Sequence, residues 1–240
     1  MNGAFLNALA ILLGSLCGLV RRTPLPARAQ AGLRTVLGAA TMITGIGLVA
    51  GNWGGSFLVA VKRLLITFLA VVLGYWVGKL LRLQDVSNQL GRLAGQRINT
   101  ARSQPPGKPV AGLTACVLLL GAAPLGWLGA VEEGFTGSFY LFAIKALMDA
   151  LAMMGFVQLF GWPAALTAFP ILALFGGVTL LCQHAAAPWC AVHQVADAVN
   201  SATGLVACAV SLVIFEVRRV ELTSFLPAVV VAPLLEWLWR

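Results

Sequence analysis

Two side chains in the stretch FAIKALMDALAMMGF, Phe142 to Phe156, are chemically out of place. Lys145 and Asp149 stand four residues apart, so a helix puts both on one face. The surrounding apolar segment is long enough to cross a bilayer, with Asp149 near its middle and Lys145 one turn closer to its start. A lone charge at that depth costs roughly 2.5–3.5 kcal/mol on insertion scales, and pairing lowers that cost without removing it. Two chemistries fit. One is a structural ion pair neutralising itself between helices. The other is a water-accessible site, in which Asp149 takes a proton or cation while Lys145 holds an anion or sets the proton affinity of Asp149. Asn7, Thr41, Thr44, Asn200, Ser201 and Thr203 can supply polar company, and so can Gln158, read as lying on nearly the same helical side as Asp149. The substrate- or ion-binding set is therefore Asp149, Lys145, Asn7, Thr44, Gln158 and Asn200. For the hydroxyls among these groups, bonding to their own helix backbone is the ordinary alternative.

Other chemistry is sparse. Glu132 and Glu133 in VEEGFTGS could draw cations to an entrance, although a solvated turn is the ordinary reading of such a pair. Cys182, His184, Cys190 and His193 could make a tetrahedral zinc site, but their spacing is not a standard finger pattern. A Cys182–Cys190 disulfide would need an oxidising side. The chain has no P-loop, no G-x-S-x-G, no H-E-x-x-H and no C-x-x-C, and only two His. The sequence therefore argues against an enzyme and implies no cofactor and no metal.

The elements that must position the charge pair follow from composition. Of 240 residues, 60% are hydrophobic and 10% charged, with a mean hydropathy of +0.91. Soluble domains are about 45–50% apolar and about 25% charged, and one core of this size cannot bury such a surplus. The expectation is an all-α polytopic membrane helix bundle forming one transmembrane domain over residues 1–240. Apolar runs near the ~20 residues of a span fall at about 3–20, 34–51, 57–80, 109–131, 138–160, 163–183, 199–215 and 222–239. The last is short and carries two prolines and Glu236, so seven or eight transmembrane helices are expected. MNGAFLNALAILLGSLCGLV has no positive n-region and reads as a retained first span, not a cleaved signal peptide.

The net charge of +8 needs no nucleic-acid partner, because Lys and Arg concentrate in three connections. Arg21, Arg22, Arg28 and Arg34 follow the first run. Lys79, Arg82, Arg92, Arg97, Arg102 and Lys108 surround the long loop, and Arg218 and Arg219 precede the last run. With eight spans all three lie on one side, which the positive-inside rule makes cytoplasmic. Lys62, Arg63 and Arg240 fall at the opposite ends of their spans. Between Asp85 and Arg102 the long loop reads as a basic amphipathic helix in the headgroup layer, ended by QPPGKP.

An internal repeat links these spans. LAILLGSLCGLV, a connection, GLRTVLGAATMITGIGLVAG and a third span are echoed by LALFGGVTLL, PWCAVHQVADAVN as connection, SATGLVACAVSLVIF and a final run. Repeat one covers about 3–80, the central helices about 109–160, and repeat two about 163–239. Three spans each, entered from opposite sides, make the repeats inverted, a common construction of secondary transporters. Gly14, Gly18, Gly38, Gly45, Gly47, Gly176 and Gly177 suit close helix packing. Pro124 and Pro170 are the best candidates for broken helices lining a cavity.

The stretch GAAPLGWLGAVEEGFTGSFYLFAIKALMDALAMMGF resembles the YqgA/YdfK-like family of bacterial inner-membrane proteins of unknown function. The matching positions are Gly121-Ala122, Glu133-Gly134, Lys145 and Met148-Asp149-Ala150. GAFLNALAILLGSLCGL, with Asn7 and Gly14, and FLPAVVVAPLL fit as well, so the likeness covers essentially the whole chain. Ser138 stands where that pattern has an acidic residue, Ala150 where it has Gly, and Phe175-Gly176 where it has Gln-Gly. The resemblance implies the membrane architecture, an inner-membrane location and a family role for Lys145 and Asp149.

The resulting expectation is a secondary transporter of a small solute or ion, in the bacterial inner membrane, with the lipid bilayer as solvent and a homo-oligomer possible. An ion channel and a non-transporting membrane scaffold are the alternatives.

Overall fold

The computed structural model describes residues 1–21, 26–51, 56–103, 109–218 and 220–239, and among these no residue is in a β-strand. Arg22, Arg219, Arg240 and residues 104–108, Lys108 among them, lie outside the described residues, as does the side chain of Arg102. The chain runs through α1 (Asn2–Val20), α2 (Ala27–Ala50), α3 (Phe57–Leu80), α4 (Leu83–Ser103), α5 (Pro109–Ala122), α6 (Pro124–Thr136) and α7 (Tyr140–Phe160). It continues through α8 (Ala168–Leu181), α9 (Ala187–Val192), α10 (Ala196–Ile214), α11 (Leu222–Phe225) and α12 (Ala228–Leu238). Six helical stretches are long and apolar enough to cross a membrane: α1, α2, α3, α7, Trp162–Val192 and α10. Among the described residues the pair α5–α6, bent by 59°, makes a seventh if it is counted as one span. Leu222–Leu238 is apolar but shorter.

Polarity in these helices is arranged by size. The buried face of α1 carries Gly3, Ala4, Asn7, Ala8, Ile11, Gly14, Ser15 and Gly18. Its exposed face carries Phe5, Leu9, Leu12, Leu13, Leu16 and Leu19. In α3, likewise, Thr67, Ala70, Gly74 and Gly78 face inward while Leu64, Leu65, Phe68 and Trp76 face out. Small residues inside and large apolar residues outside suit helices packed in hydrocarbon, where close backbone approach drives association.

The glycines set these approaches. A Cβ on Gly18 would lie 2.5 Å from the Met154 carbonyl oxygen, and one on Gly14 would collide with the Ala150 backbone. Gly3 faces Phe142 and Phe139, so α1 and α7 run parallel. Gly45 and Gly204 meet reciprocally: a Cβ on either would stand 2.7 or 2.5 Å from the other's carbonyl oxygen. With Gly38 against Phe215, this makes α2 antiparallel to α10. Gly74 abuts Ala228 and Gly78 abuts Ser224, while Lys62 Nζ donates to the Trp239 carbonyl at 3.1 Å. The last run thus lies antiparallel along α3 from Gly78 to Lys62.

The three basic connections meet at one end of the bundle. There Arg34 pairs with Glu216, Gln158 donates to the Arg21 carbonyl at 2.6 Å, and the Thr223 N–H donates to Gln84 at 3.2 Å. The expected amphipathic helix is α4, with Asp85 in its first turn. At the opposite end Arg63 pairs with Asp197 at 3.2 Å.

Two details depart from expectation. The break at Pro124 is present, with Pro124 opening α6 after Ala123, but Pro170 breaks nothing. It falls in the first turn of α8, where a missing N–H is an orphan in any case. PWCAVHQVADAVN is also not a free connection. The helical stretch from Trp162 continues through a π turn at Cys182–Ala186 to Val192, the wider turn easing Pro188 into the helix.

Candidate functional site

Helix α7 delivers Lys145 and Asp149 to the interior together. The Lys145 ammonium donates to both carboxylate oxygens of Asp149, at 2.8 and 2.7 Å, and the two residues are 1% and 4% exposed. Room for the lysine stem comes from α6, since a Cβ on Gly126 would lie 2.6 Å from Lys145 Cε. The ammonium also stands 5.4 Å from the ring centroid of Phe175 on α8, within cation–π range. Phe175 occupies the position where the family resemblance led to Gln, so an aromatic face here does part of what an amide would do.

Asn7 reaches this pair from α1. It is completely enclosed and is an electrostatic neighbour of the Asp149 carboxylate. Its Nδ2 and Oδ1 nonetheless make no hydrogen bond of ordinary geometry. The amide is set to donate to Asp149, and a buried amide held this loosely calls for an explanation. Four helices thus converge on the site: α1, α6, α7 and α8.

The other expected members are not gathered there. Gln158 is nine residues beyond Asp149, which at 100° per residue is half a turn away and not the same side. It is exposed and bonds the end of α1. Thr44 is half-buried beside Gly45 on α2, the helix that packs on α10. Asn200 is half-buried in α10, and no described contact links it or Thr44 to the pair. Thr41, Ser15 and Thr67 donate to the carbonyls of Leu37, Ile11 and Arg63, the backbone bonding common for hydroxyls in helices.

The pair lies apart from the pocket at the basic end of the bundle. This pocket, of about 720 Å³, lies among α2, α4, α7 and α10, and Met148 marks its approach to the pair. Lys145 and Asp149 are not part of its wall. In this conformation both side chains are enclosed by protein.

Glu132 and Glu133 overturn the reading of a solvated turn. Both lie in the last turns of α6 and are 1% and 4% exposed. Glu133 accepts from the Gly3 N–H at 2.6 Å and the Ala4 N–H at 3.4 Å, with the Met1 amino nitrogen 3.1 Å away. Glu132 accepts from the Leu141 N–H at 3.1 Å and the Ser138 hydroxyl at 2.8 Å. Each glutamate therefore caps the N-terminus of a different helix, α1 or α7, and neither helix has a side-chain cap of its own. A negative charge suits the positive end of a helix dipole. The available sequence signal was two apolar helices opening at Met1 and Phe139 without a capping residue.

The cysteines and histidines of the α8–α9 stretch form no centre. All five Cys are free, and no three His, Cys, Asp or Glu side chains gather to hold a metal among the described residues. His193 instead packs its ring against Trp189, at 4.6 Å between centroids.

A helical protein with six or seven apolar candidate spans and an enclosed charge pair is the class these observations define. The chain matches the family described as "Protein of unknown function (DUF554)" over residues 2–237, and it belongs to that family. It is 27% identical to the uncharacterised protein YqgA of Escherichia coli strain K12, over 99% of this chain and 97% of that protein. No solved structure matches.

Proposed function

We propose that this chain is a multi-pass protein of the bacterial inner membrane that transports a small solute or ion, and that Lys145, Asp149 and Asn7 are its switch. The observation that carries this reading is the enclosed, doubly bonded Lys145–Asp149 pair with the buried Asn7 amide beside it. Enclosed ionisable groups at mid-span mark ion or substrate pathways more often than scaffolding, and the Asn7 amide set against Asp149 adds a polar group that a ligand or water could engage. In this reading the structure is the closed form, and protonation of Asp149 would free Lys145 for an anion.

The helix pairing supports inverted repeats. Span two of the first repeat (α2) lies antiparallel to span two of the second (α10), and α3 lies antiparallel to α11–α12. Antiparallel pairing of equivalent helices is what a pseudo-two-fold axis in the membrane plane produces. From Gly78 to Lys62 the last run follows α3 for sixteen residues, about 24 Å at the helical rise, which favours a full eighth crossing over a re-entrant one.

The test is flux into proteoliposomes under imposed proton and sodium gradients, with a panel of inorganic anions, cations and small organic acids. Gradient-dependent, saturable flux in wild type and its loss in Asp149→Asn is the expected result. Unsaturable current would identify a channel. The tight seal of the pair specifically favours one other reading, a structural clasp. A Lys145→Met/Asp149→Leu double variant that keeps wild-type flux would establish the clasp and sink the switch.

A further inference from the structure

The cavity at the basic end is separate from the charge pair and has a composition of its own. Its volume of about 720 Å³ is within the ~300–1,000 Å³ of ligand pockets. The buried and half-buried part of the wall is apolar, with Leu37, Met148 and Leu151, while the lining residues Arg34, Gln30 and Gln158 are exposed. No carboxylate lines it. Among the described residues the acid paired with its guanidinium is Glu216, which meets Arg34 across the α2–α10 edge. Glu216 sits just past the end of α10 at φ +59°, a left-handed backbone that a residue with a side chain adopts only at a cost. Both partners are substantially exposed, at 48% and 68%, and such a pair is easily exchanged.

We infer that this cavity binds an amphipathic monoanion, its acidic head on Arg34 in place of Glu216 and its acyl chain against Leu37, Met148 and Leu151. Glu216 then acts as an internal competitor that holds the guanidinium when the cavity is empty. An acid group on an acyl chain can come from a free fatty acid or from an anionic phospholipid of the leaflet at this end. Both present the same chemistry to Arg34. The inference stands whether or not the Lys145–Asp149 pair supports transport.

The experiment is equilibrium binding of radiolabelled decanoate to the purified full-length chain, with decanol as the uncharged control. Decanoate binds saturably and decanol at least about tenfold more weakly, because a charge-assisted hydrogen bond is lost. Arg34→Gln weakens decanoate by about tenfold. Glu216→Gln tightens it several-fold, a gain that a misfolded variant does not produce. Leu151→Trp, which fills the apolar wall, weakens it with both charges in place. Displacement by phosphatidylglycerol but not phosphatidylcholine identifies the leaflet as the source, and failure of both lipids to displace identifies the free acid. Unsaturable decanoate binding, or equal affinity in wild type, Arg34→Gln and Glu216→Gln, overturns the inference.

Discussion

Lys145 and Asp149 hold each other so closely that each is the other's solvent. Lys145 has three donors and Asp149 takes two of its bonds, while Phe175 covers a further side of the ammonium. Removing one partner therefore leaves an uncompensated charge, at about 3–5 kcal/mol for buried pairs. Asp149→Asn should lower thermal stability in detergent by that order, and adding Lys145→Met should restore most of it. Equal stability of Asp149→Asn and wild type would mean that Lys145 already finds another partner. Glu133 makes a second argument at this scale. Glu133→Ala orphans the Gly3 and Ala4 amides, at about 1–3 kcal/mol. Hydrogen exchange at those two amides should speed up while exchange in the middle of α7 stays slow; unchanged exchange would remove the capping role.

Elements in this bundle are fitted by small residues, and the fit is local enough to separate two glycines on one helix. Gly45 meets Gly204 and Cys208, whereas nothing lies within 4 Å of a Cβ built on Gly47. Gly45→Val should push α2 off α10 and destabilise by about 1–3 kcal/mol, the usual cost of overpacking. Gly47→Ala should be neutral or stabilising by up to about 1 kcal/mol, the helix propensity gained. Unfolding midpoints of the two variants check both statements. A Gly45→Val protein as stable as Gly47→Ala would contradict the α2–α10 contact.

For the whole molecule, helix directions and charge placement are compatible with the orientation of the proposed eight-span membrane protein. Parallel α1 and α7, antiparallel α2 and α10, and antiparallel α3 and α12 are what eight crossings require, with α4 on the basic side. In a variant with the five native Cys replaced by Ala, Thr136→Cys should label with an impermeant maleimide in intact cells, while Gln96→Cys should label only after permeabilisation. The reverse pattern would invert the topology, and labelling of both in intact cells would disprove a single orientation.

Much of this was determined by the sequence alone, and the reason is locality. Apolar runs of span length, Pro124 as a helix break, α4 as an amphipathic helix and the i, i+4 placement of Lys145 and Asp149 depend only on neighbours within a few turns. So does the error over Gln158, which simple helical spacing corrects. The tertiary structure alone decided what faces the pair, because that depends on glycines distant in sequence. Gly126 admits the lysine stem, and Gly14 and Gly18 bring α1 close enough to place Asn7 at Asp149. It also decided that Glu132 and Glu133 are buried. Their partners are the open amide ends of α1 and α7, and no periodicity in their own segment records which helix end will arrive there.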